Sequence, residues 1–327
     1  MQVNPSISVV MPVYNAAKYV HAAVESILRQ SYGNFEFIII EDASTDDTPL
    51  IVEKYSVEDP RIRIIKNERN SGVAASLNKG LDNARGEFIA RMDADDISYP
   101  QRLRKQMDFL IKNPDICLVA TSYERIDEEG NILAPIVLNL DTKTLKMLMR
   151  CDNYISHGSV MFRREPIIKL GKYREKCLHT EDHDLWLRII EKYDIALMPE
   201  ILYQFRITRQ SVSSKYAMEM AYYKNLILKF AEERQKFGKD SYEKLVKEPI
   251  SIEPTSEKQS LASLHLQRGL AFLSSNIKNQ ARIEFRECIK ARPLHLWYWL
   301  LMLAAIMPTM ILDIARWFWK KSPKNIS

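Results

Sequence analysis

Carboxylate side chains cluster at three separate places in the sequence, with spacings suited to holding a metal ion or taking up a proton. The segment RMDADD puts Asp93, Asp95 and Asp96 directly after an apolar run, and two further acidic groups, EDASTDD and TEDHD, begin at residues 41 and 180. Carboxylate oxygens are ligands that Mg²⁺ and Mn²⁺ prefer, and a single carboxylate can serve as a general base. Taken alone, each segment is more typical of a solvated turn or of the first turn of a helix.

The elements around these segments predict an α/β fold with a mostly parallel sheet. Short β-rich runs alternate with helical patterns over about the first two hundred residues, as parallel strands joined by helices do. The runs at 7–13, 35–42 and 87–93 are predicted strands, and two further runs, IALMPE and ILYQFRI, are predicted to close the sheet. Ligands of doubly wound sheets bind beyond the carboxyl ends of the strands, so the polar loops after the three numbered strands are expected to meet at one site.

Together, these three loops offer what a nucleoside diphosphate needs. The loop PVYN contains Pro12 and the aromatic ring of Tyr14, and Asp42 offers an acceptor for the imide N–H of a base or for ribose hydroxyls. Asp93 and Asp95 are oxygen ligands suited to Mg²⁺ or Mn²⁺. The sequence contains neither a P-loop motif nor a glycine-rich dinucleotide-binding turn. A metal ion is therefore expected to neutralise the diphosphate.

Composition argues against several other classes of protein. A chain of 327 residues with 46% hydrophobic residues can bury a full core. Its formal net charge of +5 is too small, without a basic stripe or a recognisable module, to indicate a nucleic-acid-binding protein. The four cysteines are too scattered for a zinc site or a compact disulfide framework. The N-terminal segment MQVNPS lacks the features of a signal peptide, and a cytoplasmic protein is expected.

The composition changes after about residue 214, where helix-forming residues dominate. The polar segment 247–258 is a predicted linker, and 265–293 resembles one tetratricopeptide repeat. The apolar run 296–312 is short for a membrane-spanning helix and is interrupted by Pro308. Tryptophans and basic residues around this run favour contact with a membrane surface, although a buried pair of helices would also fit the pattern.

The order of three motifs resembles that of the family 2 glycosyltransferases. The motifs are SVVMPVYNAAKYVHAAVESILRQSYGNFEFIIIEDASTDDT, ARGEFIARMDADDISYPQRLRKQ and HTEDHDLWLRI. Members of this family are inverting nucleotide-sugar enzymes with the GT-A fold, a Rossmann-like sheet flanked by helices. The resemblance implies a catalytic domain over 1–215. The composition adds a helical connector and linker at 216–256 and a helical unit at 257–327 that includes the apolar run.

The resemblance implies a metal-dependent transfer of a hexose or related sugar from a nucleotide-diphosphate sugar, first of all a UDP-sugar, to an acceptor hydroxyl. Asp42 would contact the nucleobase and Tyr14 would stack near it. Asp93 would lie by the ribose or the metal, and Asp95 would ligate the Mg²⁺ or Mn²⁺ that bridges the diphosphate. Asp96 would cap a helix or support the metal ligands.

On the acceptor side, Glu181 and Asp182 correspond to the acidic pair that the family carries before a helix. Asp182 would be the general base on the acceptor hydroxyl. His157 lies where the family often has a polar residue near the acceptor cleft, although a lone histidine is more often structural. Arg206 or Arg209 could reach a phosphate, or could serve only as a surface cation.

Two positions depart from the family pattern. Many relatives carry an arginine after the third strand and a histidine after the closing strand, where this sequence has Leu77 and Thr208. In those relatives the histidine can serve as an extra metal ligand, which this sequence does not supply at Thr208.

The apolar C-terminal run suggests an enzyme at the inner face of the cell membrane. The acceptor would then belong to cell-surface glycan synthesis, as a polysaccharide or a lipid-linked oligosaccharide. Two alternatives remain: a catalytically weak or inactive membrane-associated scaffold, and a GT-A-like nucleotidyltransferase. The second should carry a glycine-rich activating loop near the N-terminus, which this sequence lacks.

Overall fold

The structure is a computed structural model that describes residues 5–208, 217–247, 278–291, 293 and 296–306. The chain forms two compact units, Met1–Ser251 and Ile252–Ser327. Each of them has buried hydrophobic side chains of its own.

One mixed sheet organises the first unit. Its strands are β1 Ile7–Val13, β2 Phe35–Glu41, β3 Ile62–Lys66, β4 Phe88–Arg91, β5 Ile97–Ser98, β6 Ile116–Ile126, β7 Ile132–Ile136, β8 Met161–Arg163 and β9 Asp194–Arg206. Within the described residues these nine strands have the order β3-β2-β1-β4-β8-β6-β9-β5, with β7 paired to β6. The first four strands are parallel, as is the pair β6 and β9, whereas β5, β7 and β8 run antiparallel to their neighbours.

Helices cover both faces of this sheet, so the α/β fold predicted from the alternating pattern is confirmed. Those of the first unit are α1 Val20–Leu28, α2 Thr48–Glu58, α3 Val73–Asn83, α4 Arg102–Lys112, α5 Thr142–Met149, α6 Arg164–Lys169, α7 Glu181–Ile190, α8 Ala217–Phe237 and α9 Tyr242–Lys247. A short 3₁₀ turn spans His157–Ser159.

The two faces of the sheet bury separate sets of side chains because successive residues of a strand point to opposite sides. In β1, Val9 and Met11 pack with α1, α2 and α4, whereas Val10 packs with α3, α5 and α7. Every residue of β2 is buried, as expected for a parallel strand covered on both faces. This arrangement aligns the carboxyl ends of β1, β2 and β4 at one edge.

The sheet closes with one continuous strand, β9, where the sequence pattern predicted two. The predicted break falls between Glu200 and Ile201, and the pairing register with β6 shifts next to it, because Met198 faces Thr121 and the next partner is Ile201. Proline cannot donate to a strand ladder, and a β-bulge accommodates it without ending the strand.

Helices α8 and α9 lie in the range that the composition assigned to a connector, yet they contribute to the core of the first unit. Ile227, Phe230 and Leu245 are buried in the same cluster as Trp186 of α7. These two helices therefore pack behind α7, the helix that begins with Glu181 and Asp182.

In the second unit, the described helices are α10 Lys278–Ala291 and α11 Leu296–Ile306. They pack through Cys288, Ile289 and Tyr298. One face of α11 is exposed and apolar. This apolar face of α11 consists of Trp299, Leu300, Leu303 and Ile306.

Part of what was predicted for the C-terminal region lies outside the described residues. This holds for the linker after Lys247, for the first half of the tetratricopeptide-like stretch and for the apolar run beyond Ile306. In the second half of that stretch, Ala281 and Phe285 are buried. None of the helices that the structure describes is both long and apolar enough to cross a bilayer.

Candidate active site

The loop between β4 and β5, residues 92–96, is called the acidic loop here. Hydrogen bonds from the end of strand β9 hold this loop in place. Arg206 donates its main-chain N–H to Asp96 Oδ1 and its Nε to the carbonyl oxygen of Asp95, both at 2.7 Å. A residue 110 positions further along the chain therefore fixes the backbone of this loop.

Tyr203 of β9 is fully buried beside the acidic loop. Its hydroxyl accepts a hydrogen bond from the main-chain N–H of Asp93 at 3.3 Å and also bonds the side chain of Asp96. The guanidinium of Arg102 stacks on its ring, 4.9 Å from the centroid. Gly158 packs so closely that a Cβ there would overlap the Tyr203 hydroxyl and lie 2.8 Å from Asp93 Oδ2. No local feature of the sequence marks Tyr203 or Gly158.

The three carboxylates of the acidic loop have different surroundings. Asp96 is buried, and burial together with the negative charge of Asp95 raises its pKa to about 8. Burial also raises the pKa of Asp95. Asp93 forms an ion pair with Arg91. Burial thus makes the ionised form of two of these three carboxylates unfavourable, and a bound cation would stabilise that form.

Asp95 is the member of the loop best suited to a divalent cation. No described side chain donates a hydrogen bond to its carboxylate. In the part of the chain that the structure describes, no three His, Cys, Asp or Glu side chains converge on a closed metal site. Mg²⁺ commonly takes one or two carboxylates and completes its shell with water and substrate phosphates. The residues present fit a cation that binds together with a diphosphate.

Arg91, the last residue of β4, is a buried cation near both acidic groups. It pairs with Asp93, and its charge partly offsets the rise in pKa of Asp95 in the acidic loop and of Glu181 and Asp182 in α7. The acidic loop and the start of α7 therefore lie within electrostatic reach of one guanidinium. The only sign of this in the sequence is the arginine that opens RMDADD.

Glu181 and Asp182 form the first turn of α7, where the helix dipole favours negative charge. Asp182 Oδ2 accepts a hydrogen bond from Asn153 Nδ2 at 2.7 Å, and Oδ1 accepts one from the main-chain N–H of His183 at 2.7 Å. Burial raises the pKa of Asp182. Burial and the charge of Asp182 raise the pKa of Glu181 to about 7. Two carboxylates with raised pKa values at one helix start are typical of an acid–base site.

His157 lies in the 3₁₀ turn beside the acidic loop. Its Nε2 and the Tyr173 hydroxyl are 3.0 Å apart, and its ring meets Trp186 edge to face. Burial, reinforced by the charge of Arg91, holds the pKa of His157 well below 6.5. The imidazole is therefore neutral at physiological pH.

Asp42 is buried after the end of β2 and holds the turn that precedes α3. Oδ1 accepts hydrogen bonds from Asn67 Nδ2 at 2.6 Å and from the main-chain N–H of Ser71 at 2.9 Å. Oδ2 accepts one from the main-chain N–H of Gly72 at 2.9 Å. Three donors already face this carboxylate, which leaves it room for one more.

The loops after β1 and β2 are tied directly to each other. Asn15 Oδ1 accepts a hydrogen bond from the main-chain N–H of Thr45 at 2.8 Å. Pro12 pairs with Ile40 in the sheet, and Tyr14 is 47% exposed. An exposed aromatic residue therefore stands at the same sheet edge as the acidic loop.

The guanidinium of Arg206 is bound to main-chain carbonyl groups. Besides the acidic loop, it donates Nη1 to the carbonyl oxygens of Asp127 and Glu128 at 2.9 and 3.1 Å. It also stacks on the Tyr19 ring, 4.7 Å from the centroid. Arg206 thus joins the acidic loop to the β6–β7 turn and to the start of α1. Arg209 lies outside the described residues.

Comparison with known proteins gives consistent matches. Residues 8–171 match the model of the family described as glycosyl transferase family 2. The uncharacterized glycosyltransferase MJ1057 of Methanocaldococcus jannaschii is 39% identical over 207 residues, which is 62% of this chain and 71% of that protein. The Escherichia coli enzyme WfgD, a UDP-Glc:α-D-GlcNAc-diphosphoundecaprenol β-1,3-glucosyltransferase, is 32% identical over 65% of this chain and 82% of its own.

A solved structure shows the same fold. The mannosyltransferase PcManGT of Pyrobaculum calidifontis, in complex with GDP-Man and Mn²⁺, superposes with a TM-score of 0.57 at 19% identity, over 98% of this chain and 89% of that chain. At this identity the likeness concerns the fold alone, and the predicted GT-A architecture is confirmed. This protein belongs to glycosyl transferase family 2.

Proposed function

We propose that this protein is a metal-dependent, inverting glycosyltransferase that moves a hexose or related sugar from a nucleoside-diphosphate sugar to an acceptor hydroxyl. The observation that best supports the proposal is the pair of acidic groups, the acidic loop and the start of α7, within reach of Arg91. Inverting transfer needs one site that neutralises the departing diphosphate and one carboxylate that accepts the proton of the acceptor. UDP-sugars are the first donors to test, because the relative WfgD is named for UDP-Glc.

In the acidic loop, Asp95 would hold Mg²⁺ or Mn²⁺. The bound ion would neutralise the negative charge that develops on the departing nucleoside diphosphate. Asp93 pairs with Arg91, and we assign its second oxygen to a ribose hydroxyl or to the same cation. Asp96 accepts the main-chain N–H of Arg206 and would support the loop rather than contact the donor.

At the start of α7, Asp182 would take the proton of the acceptor hydroxyl as that oxygen attacks the anomeric carbon. The pKa of Asp182 is raised by burial, which makes it a stronger base than an exposed aspartate. Both of its oxygens face N–H donors, and this favours the ionised form that a base requires. Glu181 and the neutral His157 would line the acceptor side.

The donor nucleoside would lie against the loops after β1 and β2. Tyr14 is an exposed aromatic residue whose ring would stack on the base, and Pro12 lies two residues before it, near the end of β1. Asp42 would use its remaining acceptor position for the base while its other hydrogen bonds hold the turn before α3. We assign Arg206 to holding the acidic loop, because its Nε and Nη1 already donate to main-chain carbonyl oxygens.

We propose that the second unit brings the enzyme to a membrane surface. The apolar face of α11 is exposed. Residues 252–327 hold eleven Lys and Arg against five Asp and Glu, whereas the rest of the chain holds 36 against 37. The positive excess of the whole chain is thus in this unit. An apolar face with tryptophan and an excess of basic residues suits a bilayer with anionic headgroups.

This placement leads to a proposal for the acceptor. The name of WfgD specifies an acceptor carried on diphosphoundecaprenol, which is a lipid. For this chain we propose an acceptor in the synthesis of a cell-surface polysaccharide or a lipid-linked oligosaccharide. The enzyme would then be cytoplasmic and peripheral at the inner face of the cell membrane.

A panel of UDP-sugars, each incubated with the protein with and without Mn²⁺, tests the proposed reaction. We expect one UDP-sugar to release UDP only when Mn²⁺ is present. The reaction measured is slow hydrolysis, because water takes the place of the glycan acceptor. UDP binding without turnover of any donor would favour the alternative of a catalytically inactive scaffold. Release of pyrophosphate from a nucleoside triphosphate would favour the alternative of a nucleotidyltransferase.

A further inference from the structure

Asn153 makes a direct contact with the carboxylate that we propose as the base. Within the described residues, it is the one side chain that hydrogen-bonds Asp182, with Nδ2 2.7 Å from Oδ2. It lies in the segment between α5 and the 3₁₀ turn, outside all three acidic motifs. Neither the family resemblance nor the sequence pattern gave it a role.

The orientation of the Asn153 amide is fixed by a second hydrogen bond. Its Oδ1 accepts the main-chain N–H of Ile155 at 3.1 Å. Because the amide oxygen is used there, the NH₂ group must face Asp182, and an NH₂ group can only donate. The other oxygen of Asp182 faces the main-chain N–H of His183 at 2.7 Å. A proton on either oxygen would meet a donor, so this geometry favours the bare carboxylate.

The segment that carries Asn153 is anchored on both sides. His183 Nε2 lies 2.7 Å from the carbonyl oxygen of Met149, and since that oxygen only accepts, Nε2 carries the proton. Asp152 forms an ion pair with Lys224 of α8. The end of α5, the start of α7 and helix α8 therefore hold Asn153 against the carboxylate.

We propose that Asn153 is a positioning residue for the transfer reaction, which holds Asp182 ionised and aimed so that it can take the acceptor proton. This inference rests on the proposed function of Asp182 as base. Asn153 would act through the carboxylate, because its NH₂ group donates to Asp182 while its amide oxygen is held by the main-chain N–H of Ile155.

Several other charged or titratable groups face Asp182 and remain in place when Asn153 is changed. Glu181 and His183 adjoin it in α7, Arg91 reaches it from β4, and Tyr173 reaches it from the segment after α6. The change at Asn153 removes one donor from a fixed set of charges. The proton affinity of Asp182 must then rise, since a donor to a carboxylate stabilises its ionised form.

The test is a pH profile of Mn²⁺-dependent UDP release in a single turnover, from the UDP-sugar that the panel identifies, with water as acceptor. For Asn153→Ala we expect a rate about 10- to 100-fold lower at pH 7, as for the loss of one hydrogen bond to a charged group. The acid limb of the pH–rate profile, where the rate falls because Asp182 becomes protonated, should move to higher pH. Mn²⁺-dependent UDP binding should stay unchanged. Asn153→Asp should move this acid limb to still higher pH, because a negative charge beside Asp182 makes its ionisation less favourable.

Asn83→Ala serves as the matched control, because Asn83 donates only to the main-chain oxygen of Lys79 at an exposed helix end. An acid limb at the wild-type pH in Asn153→Ala would overturn the inference. Loss of fold or of UDP binding in both Asn153 variants would also overturn it, because the residue would then be only structural. Full activity of Asp182→Asn would instead refute the proposed function.

Discussion

Replacing Gly158 by alanine tests how closely the acidic loop depends on contacts that are remote in sequence. Gly158 lies in the 3₁₀ turn, with the Tyr203 hydroxyl and Asp93 Oδ2 directly in front of it. An added methyl group would overlap the hydroxyl and lie 2.8 Å from the carboxylate oxygen. Neither neighbour can yield easily, since Tyr203 is fully buried and Asp93 is paired with Arg91.

The expected magnitude follows from the distances. Ordinary contacts need about 3.5 Å between heavy atoms, so Asp93 must move by about 0.7 Å and Tyr203 by more. Overpacking of a filled core costs about 1 to 3 kcal/mol. For a unit of this size that lowers the Tm by roughly 2 to 12 °C. A displacement of this order in a reactive site costs on the order of 100-fold in rate.

The assay combines thermal unfolding of Gly158→Ala with its Mn²⁺-dependent UDP binding and UDP release. Gly33→Ala is the matched control, because no atom lies within 4 Å of its added Cβ. We expect Gly158→Ala alone to unfold earlier and to lose donor binding or turnover. Equal stability and equal activity of the two variants would show that the packing of Gly158 against the acidic loop does not matter.

Three further predictions concern separate parts of the molecule. Asp95→Ala should bind UDP with the same low affinity in Mn²⁺ and in EDTA, and calorimetry that finds a remaining Mn²⁺ effect would count against Asp95 as metal ligand. The pKa of Glu181 is raised from 4.5 to about 7, so its ionisation destabilises the fold as pH rises through this range. Glu181→Gln should gain up to about 3 kcal/mol of unfolding free energy above pH 7 and nothing below pH 4.5, as measured by denaturation at several pH values. Leu300→Asp with Leu303→Asp should abolish flotation with anionic liposomes, whereas Leu50→Asp, at an exposed leucine of the first unit, should leave it intact.

The sequence predicts the fold class and the meeting of the polar loops because both depend on local patterns. Alternation of strands and helices indicates the parallel sheet, and the carboxyl ends of parallel strands lie at one edge. The aspartates of RMDADD and of EDASTDD follow the ends of β4 and β2, as expected. Family membership also follows, since three separated motifs occur in a fixed order.

The supports of the site could not be predicted, because they come from contacts between distant parts of the chain. Tyr203 and Arg206 reach the acidic loop from 110 residues away, and nothing in their local sequence indicates it. Asn153 lies 29 residues before the carboxylate that it bonds. The sequence of residues 217–237 predicts a helix. It does not predict where this helix packs, because that depends on the shape of the first unit around Trp186.

The most direct test of the account is a comparison of Asp182→Asn with the wild type in two assays on the same preparation. If Asp182 is the base, the variant should bind UDP with Mn²⁺ as tightly as the wild type, because the metal and nucleoside contacts are assigned to other residues. Its single-turnover release of UDP from the donor should fall by about 100- to 10,000-fold, the range that general bases contribute. Turnover at the wild-type rate, or loss of UDP binding together with turnover, would contradict the assignment.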